Sequence, residues 1–180
     1  MKIRHLRSHT ATLALALLAG SIAHATDVSD IVPAAGDKLK LFKQVGEWSV
    51  YADANRGSCL MERSDDVGNA MQLGLVKDQS ATYVGVFTQA DVKVDPSQPI
   101  AIVVDGAVFT GESHGIRSGQ LSGKWSGGYV LSQDPDFVTA IAEGRELVAF
   151  PENPGLFVVD LTGTKRAIDE VRKCHLSLDG

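Results

Sequence analysis

The two cysteines are the residues for which the sequence leaves the fewest possible chemical roles. Cys59 and Cys174 are the only cysteines among the 180 residues, and neither belongs to a CxxC pair of the kind that tunes thiols for redox work. In an exported domain, two cysteines with no third competitor allow only one intramolecular pairing. We therefore expect a Cys59–Cys174 disulfide, and a redox-active thiol is the alternative.

A second candidate for chemistry is the segment 111–115, which reads GESHG and matches the GxSxG pattern of serine hydrolases. That pattern works when the serine lies on a sharp turn between a strand and a helix whose N-terminus helps to form an oxyanion hole. The residues that follow are rich in glycine and serine and are poor helix formers. We interpret the match as a turn or bulge, and hydrolysis by Ser113 is the alternative.

The other polar candidates fit structural roles. His114 and His175 are the two histidines beyond the first 25 residues, and we expect both to be exposed to solvent. Acidic pairs at 65–66 and at 134 and 136 occur where turns and helix starts favour aspartate. No HxxxH or paired CxxC spacing predicts zinc, and the acidic pairs lack the continuation of a calcium loop. The sequence therefore predicts no metal, no cofactor and no catalytic residue.

The N-terminus predicts the compartment. Three basic residues among the first seven precede a short Ala- and Leu-rich run over 11–22, and Ala23-His24-Ala25 fits the small-x-small pattern of a signal peptidase site. The apolar run is too short for a stable membrane span. We expect cleavage before Thr26 and a periplasmic or secreted mature protein, in a compartment where disulfides persist.

The predicted organisation is a signal peptide over 1–25, a leader segment over 26–43 and a single β-rich domain over 44–180. Removing the three basic residues of the signal peptide from the total of 17 Lys and Arg leaves 14 against 22 Asp and Glu, a net charge of −8. Nucleic acid would be repelled by such a domain. No other apolar stretch approaches the length of a membrane span. The partner is left open, with envelope proteins as the expectation.

Short strands dominate the rest of the chain. Apolar residues alternate with polar ones between Trp48 and Thr88, and Asp105-Gly106 between two apolar runs predicts a tight hairpin. Helical spacing occurs only over Ser132–Gly144 and Thr164–Cys174. We predict a mainly β domain, an antiparallel sandwich or barrel-like fold with two short helices, one of them C-terminal. Two tryptophans are assigned to the core or a sheet face, namely Trp48 and Trp125.

Several of these segments together resemble a known family. The opening strand GEWSV at 46–50, the CLM sequence at 59–61 and the ending FVVDLTGTKRA at 157–167, which leads to Cys174, are similar to the invasion-associated locus B family of small exported bacterial proteins. In that family a GxW strand leads to a cysteine, and a strand, a glycine, a helix and a cysteine close the domain.

This resemblance spans most of residues 44–175 and implies an exported β-rich domain without established catalytic residues. The family often has a cysteine just after the opening strand, where this chain has Tyr51 and Ala52. We therefore predict an exported, non-enzymatic envelope or interaction protein, and the alternative is a small serine hydrolase that uses Ser113.

Overall fold

The computed structural model describes residues 31–34, 36–90, 100–111, 125–152 and 155–178. Strands make up most of the regular structure in this part of the chain. In chain order they are β1 (Leu39–Val45), β2 (Trp48–Asp53), β3 (Ser58–Ser64), β4 (Asn69–Leu75), β5 (Thr82–Thr88), β6 (Ile100–Val104), β7 (Ala107–Gly111), β8 (Ser126–Ser132), β9 (Glu146–Ala149) and β10 (Phe157–Asp160). The helices are α1 (Pro135–Glu143) and α2 (Thr164–Leu178).

The strands form two antiparallel sheets. One sheet has six strands in the order β1-β2-β3-β4-β5-β8, and the other has four in the order β10-β9-β6-β7. Every strand pairing is antiparallel. Neither order closes on itself within the described residues, so the architecture is an open sandwich and not a closed barrel. The prediction of a mainly β, antiparallel, sandwich-like fold with a C-terminal helix is confirmed.

One hydrophobic core joins the two sheets and both helices. Alternate residues of most strands point into it, as the two-residue repeat of a strand requires, and each helix contributes one apolar face. Helix α2 packs against β2 and β3. Representative members of this main core are Val50, Met61, Leu73, Val84, Ile102, Val130, Phe137, Ile141, Leu147, Ile168 and Val171.

The hairpin between β6 and β7 has the predicted turn. Asp105 has a φ of +45° and Gly106 a φ of +90°, the left-handed backbone that both central positions of a type I′ turn require. The Asp105 carboxylate also accepts hydrogen bonds from the backbone N–H groups of Arg145, at 3.1 Å, and Glu146, at 3.3 Å. The turn is thereby attached to the start of β9.

The first helix lies within the predicted range Ser132–Gly144. Asp134 is its N-cap, and the Asp134 carboxylate accepts a hydrogen bond from the Asp136 N–H at 2.9 Å. Pro135, which has no N–H to leave unpaired, occupies the first turn, and Gly144 follows the last residue. These caps hold α1 across one end of the sandwich, where it contacts α2.

Two element boundaries differ from the sequence-based prediction. Helix α2 continues beyond Cys174 to Leu178, because no glycine or proline occurs in the intervening residues to stop it. Strand β1 begins at Leu39, so the six-stranded sheet includes residues that the sequence analysis assigns to the leader segment. Both differences place additional residues on ordered surfaces of the domain.

Candidate interaction site

The two cysteines lie together in the main core. The Sγ atoms of Cys59 in β3 and Cys174 in α2 are 1.98 Å apart, at disulfide-bonding distance, and 115 residues separate them in the chain. Both side chains are completely buried. Cys174 points inward from the same helix face as Ile168 and Val171, as the spacing predicts. The pair therefore ties the C-terminal helix to the centre of the six-stranded sheet.

Trp48 adds a second connection between the sheet and the start of α2. Its side chain is fully buried in the main core, and its Nε1–H donates a hydrogen bond to the carbonyl oxygen of Thr162 at 3.2 Å. Trp125 is half-buried and packs on the opposite side of the same sheet. The predicted roles of both tryptophans as core or sheet-face residues are confirmed.

The prediction that His175 is exposed was wrong. Helix α2 continues through this residue, which follows Ile168 and Val171 on the inward face, and only 1% of its surface is accessible. Its Nε2 lies 2.8 Å from the carbonyl oxygen of Lys77 in the β4–β5 turn, so Nε2–H can donate to that oxygen. His175 thus fastens the helix to a turn, and the spacing of 168, 171 and 175 is the signal that could have identified it.

The acidic pairs have the structural roles that the sequence predicts. The Asp65 carboxylate accepts hydrogen bonds from the backbone N–H groups of Val67, at 3.1 Å, and Asn69, at 2.8 Å, in the β3–β4 turn. Partial burial acts to raise the pKa of Asp65, but the hydrogen bonds from Asn69 and Val67 outweigh burial and lower it. Asp134 caps α1.

Ser113 and His114 lie outside the described residues, so hydrolysis by Ser113 stays an alternative prediction. The signal-peptide cleavage site also lies outside the described residues and stays a prediction. Within the described ranges, no group of three or more His, Cys, Asp and Glu side chains is arranged to hold a metal ion.

The side of the six-stranded sheet that points away from the main core carries a second cluster, which we call the outer face. Tyr83 and Tyr129 form its centre, with ring centroids 5.5 Å apart in an edge-to-face arrangement. Phe87 contacts Tyr129 in the same way, at 5.2 Å. The buried members of the outer face are Val32, Leu60, Ala70, Tyr83, Phe87 and Tyr129.

Two glycines make room for the tyrosines of the outer face. Gly74 lies directly opposite Tyr83, and Gly85 lies opposite Tyr129. A Cβ atom at Gly74 would overlap the Tyr83 hydroxyl, and a Cβ atom at Gly85 would lie 2.5 Å from the Tyr129 ring. Each ring therefore lies across the strand beside it, over a position that has no side chain.

A chain of hydrogen bonds crosses the outer face. The Tyr129 hydroxyl donates to Gln72 Oε1 at 2.8 Å, and Gln72 Nε2 donates to the Glu62 carboxylate at 2.7 Å. Burial raises the pKa of both Tyr83 and Tyr129 well above 10. Both phenols are therefore neutral across the physiological range. Tyr129 packs and donates a hydrogen bond, whereas Tyr83 packs without a hydrogen-bond partner for its hydroxyl within the described residues.

An ion pair holds the segment before β1 on the outer face. Arg56 Nε lies 2.7 Å from the Asp37 carboxylate, and Val32 is buried among the outer-face residues. Burial acts to raise the pKa of Asp37, but its hydrogen bonds with Arg56 and with the Ala34 N–H lower it overall. Asp53 is completely buried nearby, and burial raises the pKa of Asp53.

Strand β1 and the preceding lysine, residues 38–45, form the most exposed strand surface of the described chain, which we call the basic edge strand. Leu39, Leu41 and Phe42 are 36%, 54% and 42% exposed, although large apolar side chains usually lie inside a sheet. Phe42 is an extra residue in a β-bulge between Leu41 and Lys43. The lysines of the strand are Lys38, Lys40 and Lys43.

Most of this positive charge is unneutralised. Lys43 Nζ lies 3.1 Å from Glu170 in α2, but Lys173 shares that carboxylate at 2.8 Å. Within the described part of the chain, no acidic side chain lies within ion-pair distance of Lys38 or Lys40. The basic edge strand thus combines exposed apolar side chains with net positive charge, which is typical of a surface that binds a partner.

A cleft of about 440 Å³ lies between α1, α2 and the β4–β5 turn. Its floor includes apolar side chains such as Val138 and Ile168. At its rim, the charged side chains are paired: Lys165 lies 3.9 Å from Glu143, and Arg172 lies 3.3 Å from Asp169. Asp134 also lines the cleft, so its walls carry three acidic side chains against two basic ones.

Comparisons of the chain with family models, with curated proteins and with solved structures find no match. Among the helices of the described residues, none is long and apolar enough to cross a membrane. The candidate site therefore rests on the geometry of the described residues. It is the basic edge strand, because packing of the fold does not account for its exposed apolar side chains or its lysines.

Proposed function

We propose that this chain is an exported, non-enzymatic protein of the bacterial envelope, periplasmic or secreted, which binds another protein through the basic edge strand. The observation that carries the binding role is the exposure of Leu39, Leu41 and Phe42 at the edge of a sheet. Beside them, Lys38 and Lys40 have no acidic partner within the described residues, and Lys43 shares Glu170 with Lys173. Natural edge strands usually hide or interrupt such apolar groups.

Export is supported by the N-terminal signal pattern and by the position of the cysteines. Two completely buried sulfur atoms at bonding distance stabilise a domain only where the disulfide persists, which is outside the reducing cytosol. The resemblance to the invasion-associated locus B family supports the same compartment and the same absence of catalytic machinery.

Site-specific photo-crosslinking in cells tests the proposal. A photoreactive amino acid replaces Leu41, which is 54% exposed, in the full chain expressed in its own host. We expect ultraviolet light to produce a discrete, higher-mass adduct with another envelope protein. A matched control carries the same amino acid at Val158 of β10, which is 53% exposed.

An adduct from position 41 and none from position 158 would support binding through the basic edge strand. Equal adducts from both positions would indicate nonspecific contact, and absence of any adduct from a correctly exported and folded protein would contradict the proposal. Labelling of Ser113 by a fluorophosphonate probe would favour the hydrolase alternative instead.

A further inference from the structure

We infer that the basic edge strand binds an extended partner segment in which acidic and apolar side chains alternate, and that this segment adds a strand to the six-stranded sheet. The inference rests on the proposed function, since it specifies the chemistry of the partner. It follows from three features of the strand: its open edge, the different chemistry of its two faces and its charge.

The edge of β1 is the most available of the sheet edges. Within the described residues β1 pairs only with β2, and its seven residues span about 23 Å at the usual rise of a strand. At the other end of the same sheet, β8 contacts β7, the end strand of the second sheet. The remaining edge strand, β10, has four residues, and Arg63 donates to the carbonyl oxygen of Asp160 at 2.6 Å.

The register with β2 shows that the leucines and the lysines of β1 lie on opposite faces of the sheet. Leu39 and Leu41 lie opposite Asp53 and Tyr51, so both leucines extend the outer face. Directly opposed residues of neighbouring strands share one face of the sheet. The apolar positions of an added strand would therefore meet leucine on this side.

The lysines lie on the other side of the sheet. Lys40 is opposite Ala52 and Lys43 is opposite Val50, on the face that α2 covers. The ion pair between Lys43 and Glu170 agrees with this orientation. A strand added beside β1 alternates between the two faces, so its matching sequence places apolar residues toward Leu39 and Leu41 and acidic residues toward the lysines.

Charge favours such a partner over a second copy of this chain. Two basic edge strands side by side would bring two sets of three lysines together, and like charges directly opposite one another destabilise a strand pair. The three lysines lie within six residues of a chain whose predicted mature form has a net charge of −8. This local basic segment is complementary to an acidic strand.

Fluorescence anisotropy with defined peptides tests the inference on the oxidised mature protein. The probe is a labelled nine-residue peptide, blocked at both ends, in which glutamate and valine alternate. A control peptide of the same composition has its valines in one block and its glutamates in another. We expect saturable binding of the alternating peptide, weaker at higher salt, and at least about tenfold weaker binding of the block peptide.

Three variants identify the surface. Leu41→Glu should weaken binding of the alternating peptide at least about tenfold, because it places a carboxylate beside the valines. Lys40→Glu combined with Lys43→Glu should weaken it similarly and should improve binding of a peptide that alternates lysine and valine. Val158→Glu on β10 is the matched control, since Val158 is as exposed as Leu41, and it should leave binding unchanged.

Further controls test whether the peptide pairs with β1 through its backbone, and whether a second copy of the chain or a lipid surface binds there instead. N-methylation of alternate residues in the alternating peptide removes the N–H groups that pair with an edge strand, so it should abolish binding. Equal binding of the alternating and block peptides, or full binding by the methylated one, would overturn the inference. Dimerisation lost in Leu41→Glu, or binding to phosphatidylglycerol vesicles without peptide binding, would also overturn it in favour of a second copy or a lipid surface.

These outcomes separate the inference from the proposed function. A specific adduct from position 41 in cells, together with failure of the alternating peptide, would leave the envelope partner in place and refute its predicted chemistry. Absence of the adduct would contradict the proposed function, whatever the peptides show.

Discussion

Removal of the Cys59–Cys174 bond should lower the free energy of unfolding by about 2–5 kcal/mol. The two cysteines are separated by 115 residues. The loop-closure entropy for that length gives about 5 kcal/mol at 25 °C, and measured effects often fall below this value. The bond acts mainly by restricting the unfolded chain, so its loss should appear even though the folded structure keeps its other contacts.

The variants Cys59→Ala, Cys174→Ala and the double substitution measure this effect by urea unfolding, followed through the fluorescence of buried Trp48. Either single change breaks the bond completely, so the double variant should cost only about 1 kcal/mol more than each single one, from the additional small cavity. The effects should therefore be far from additive. Wild-type protein in a reducing agent should approach the stability of the double variant.

Two results would refute this reasoning. If each single variant loses less than about 1 kcal/mol, the pair does not constrain the unfolded chain. If the losses of the single variants add up to that of the double variant, the two thiols act independently and the folded protein does not join them.

Three further outcomes are expected. Gly74→Ala should cost about 1–3 kcal/mol in thermal unfolding because its Cβ would displace Tyr83, and the cost should shrink in a Tyr83→Ala background. Burial raises the pKa of Asp53 above the ordinary 3.8, so the charged carboxylate destabilises the folded protein at neutral pH. Asp53→Asn should therefore stabilise the protein at pH 7, and this gain should disappear below about pH 3.8, where Asp53 is protonated in both the folded and the unfolded chain. Ester hydrolysis should be the same for wild type and Ser113→Ala; any Ser113-dependent turnover would contradict a non-enzymatic role.

Local signals in the sequence were sufficient to predict most elements of the fold. The alternation around Met71 and Leu73 identified a strand because one face of that strand is buried and the other is partly polar. Asp105-Gly106 predicted its hairpin because few residues tolerate two consecutive positive φ values. Asp134-Pro135 predicted the start of α1 because a cap and a fixed φ act within one turn.

The features that were not predicted depend on strand register and on contacts between distant segments. Nothing local indicates that Gly74 lies under Tyr83 or that Tyr129 reaches Gln72, since both contacts follow from the order of the strands. The burial of His175 was missed because the helix was ended one turn too early. Residues 38–43 were assigned to the leader segment, because the open edge of β1 is visible only once the sheet order is known.

We propose above all that this chain is exported, cleaved and disulfide-bonded. The most direct measurement is the intact mass of the protein recovered from the periplasmic or culture fraction after expression of the full chain in a bacterium, before and after reduction. We expect a chain that begins at Thr26 and gains the mass of two hydrogen atoms on reduction. A chain that retains Met1 in the cytoplasmic fraction, with two thiols that react without prior reduction, would contradict it.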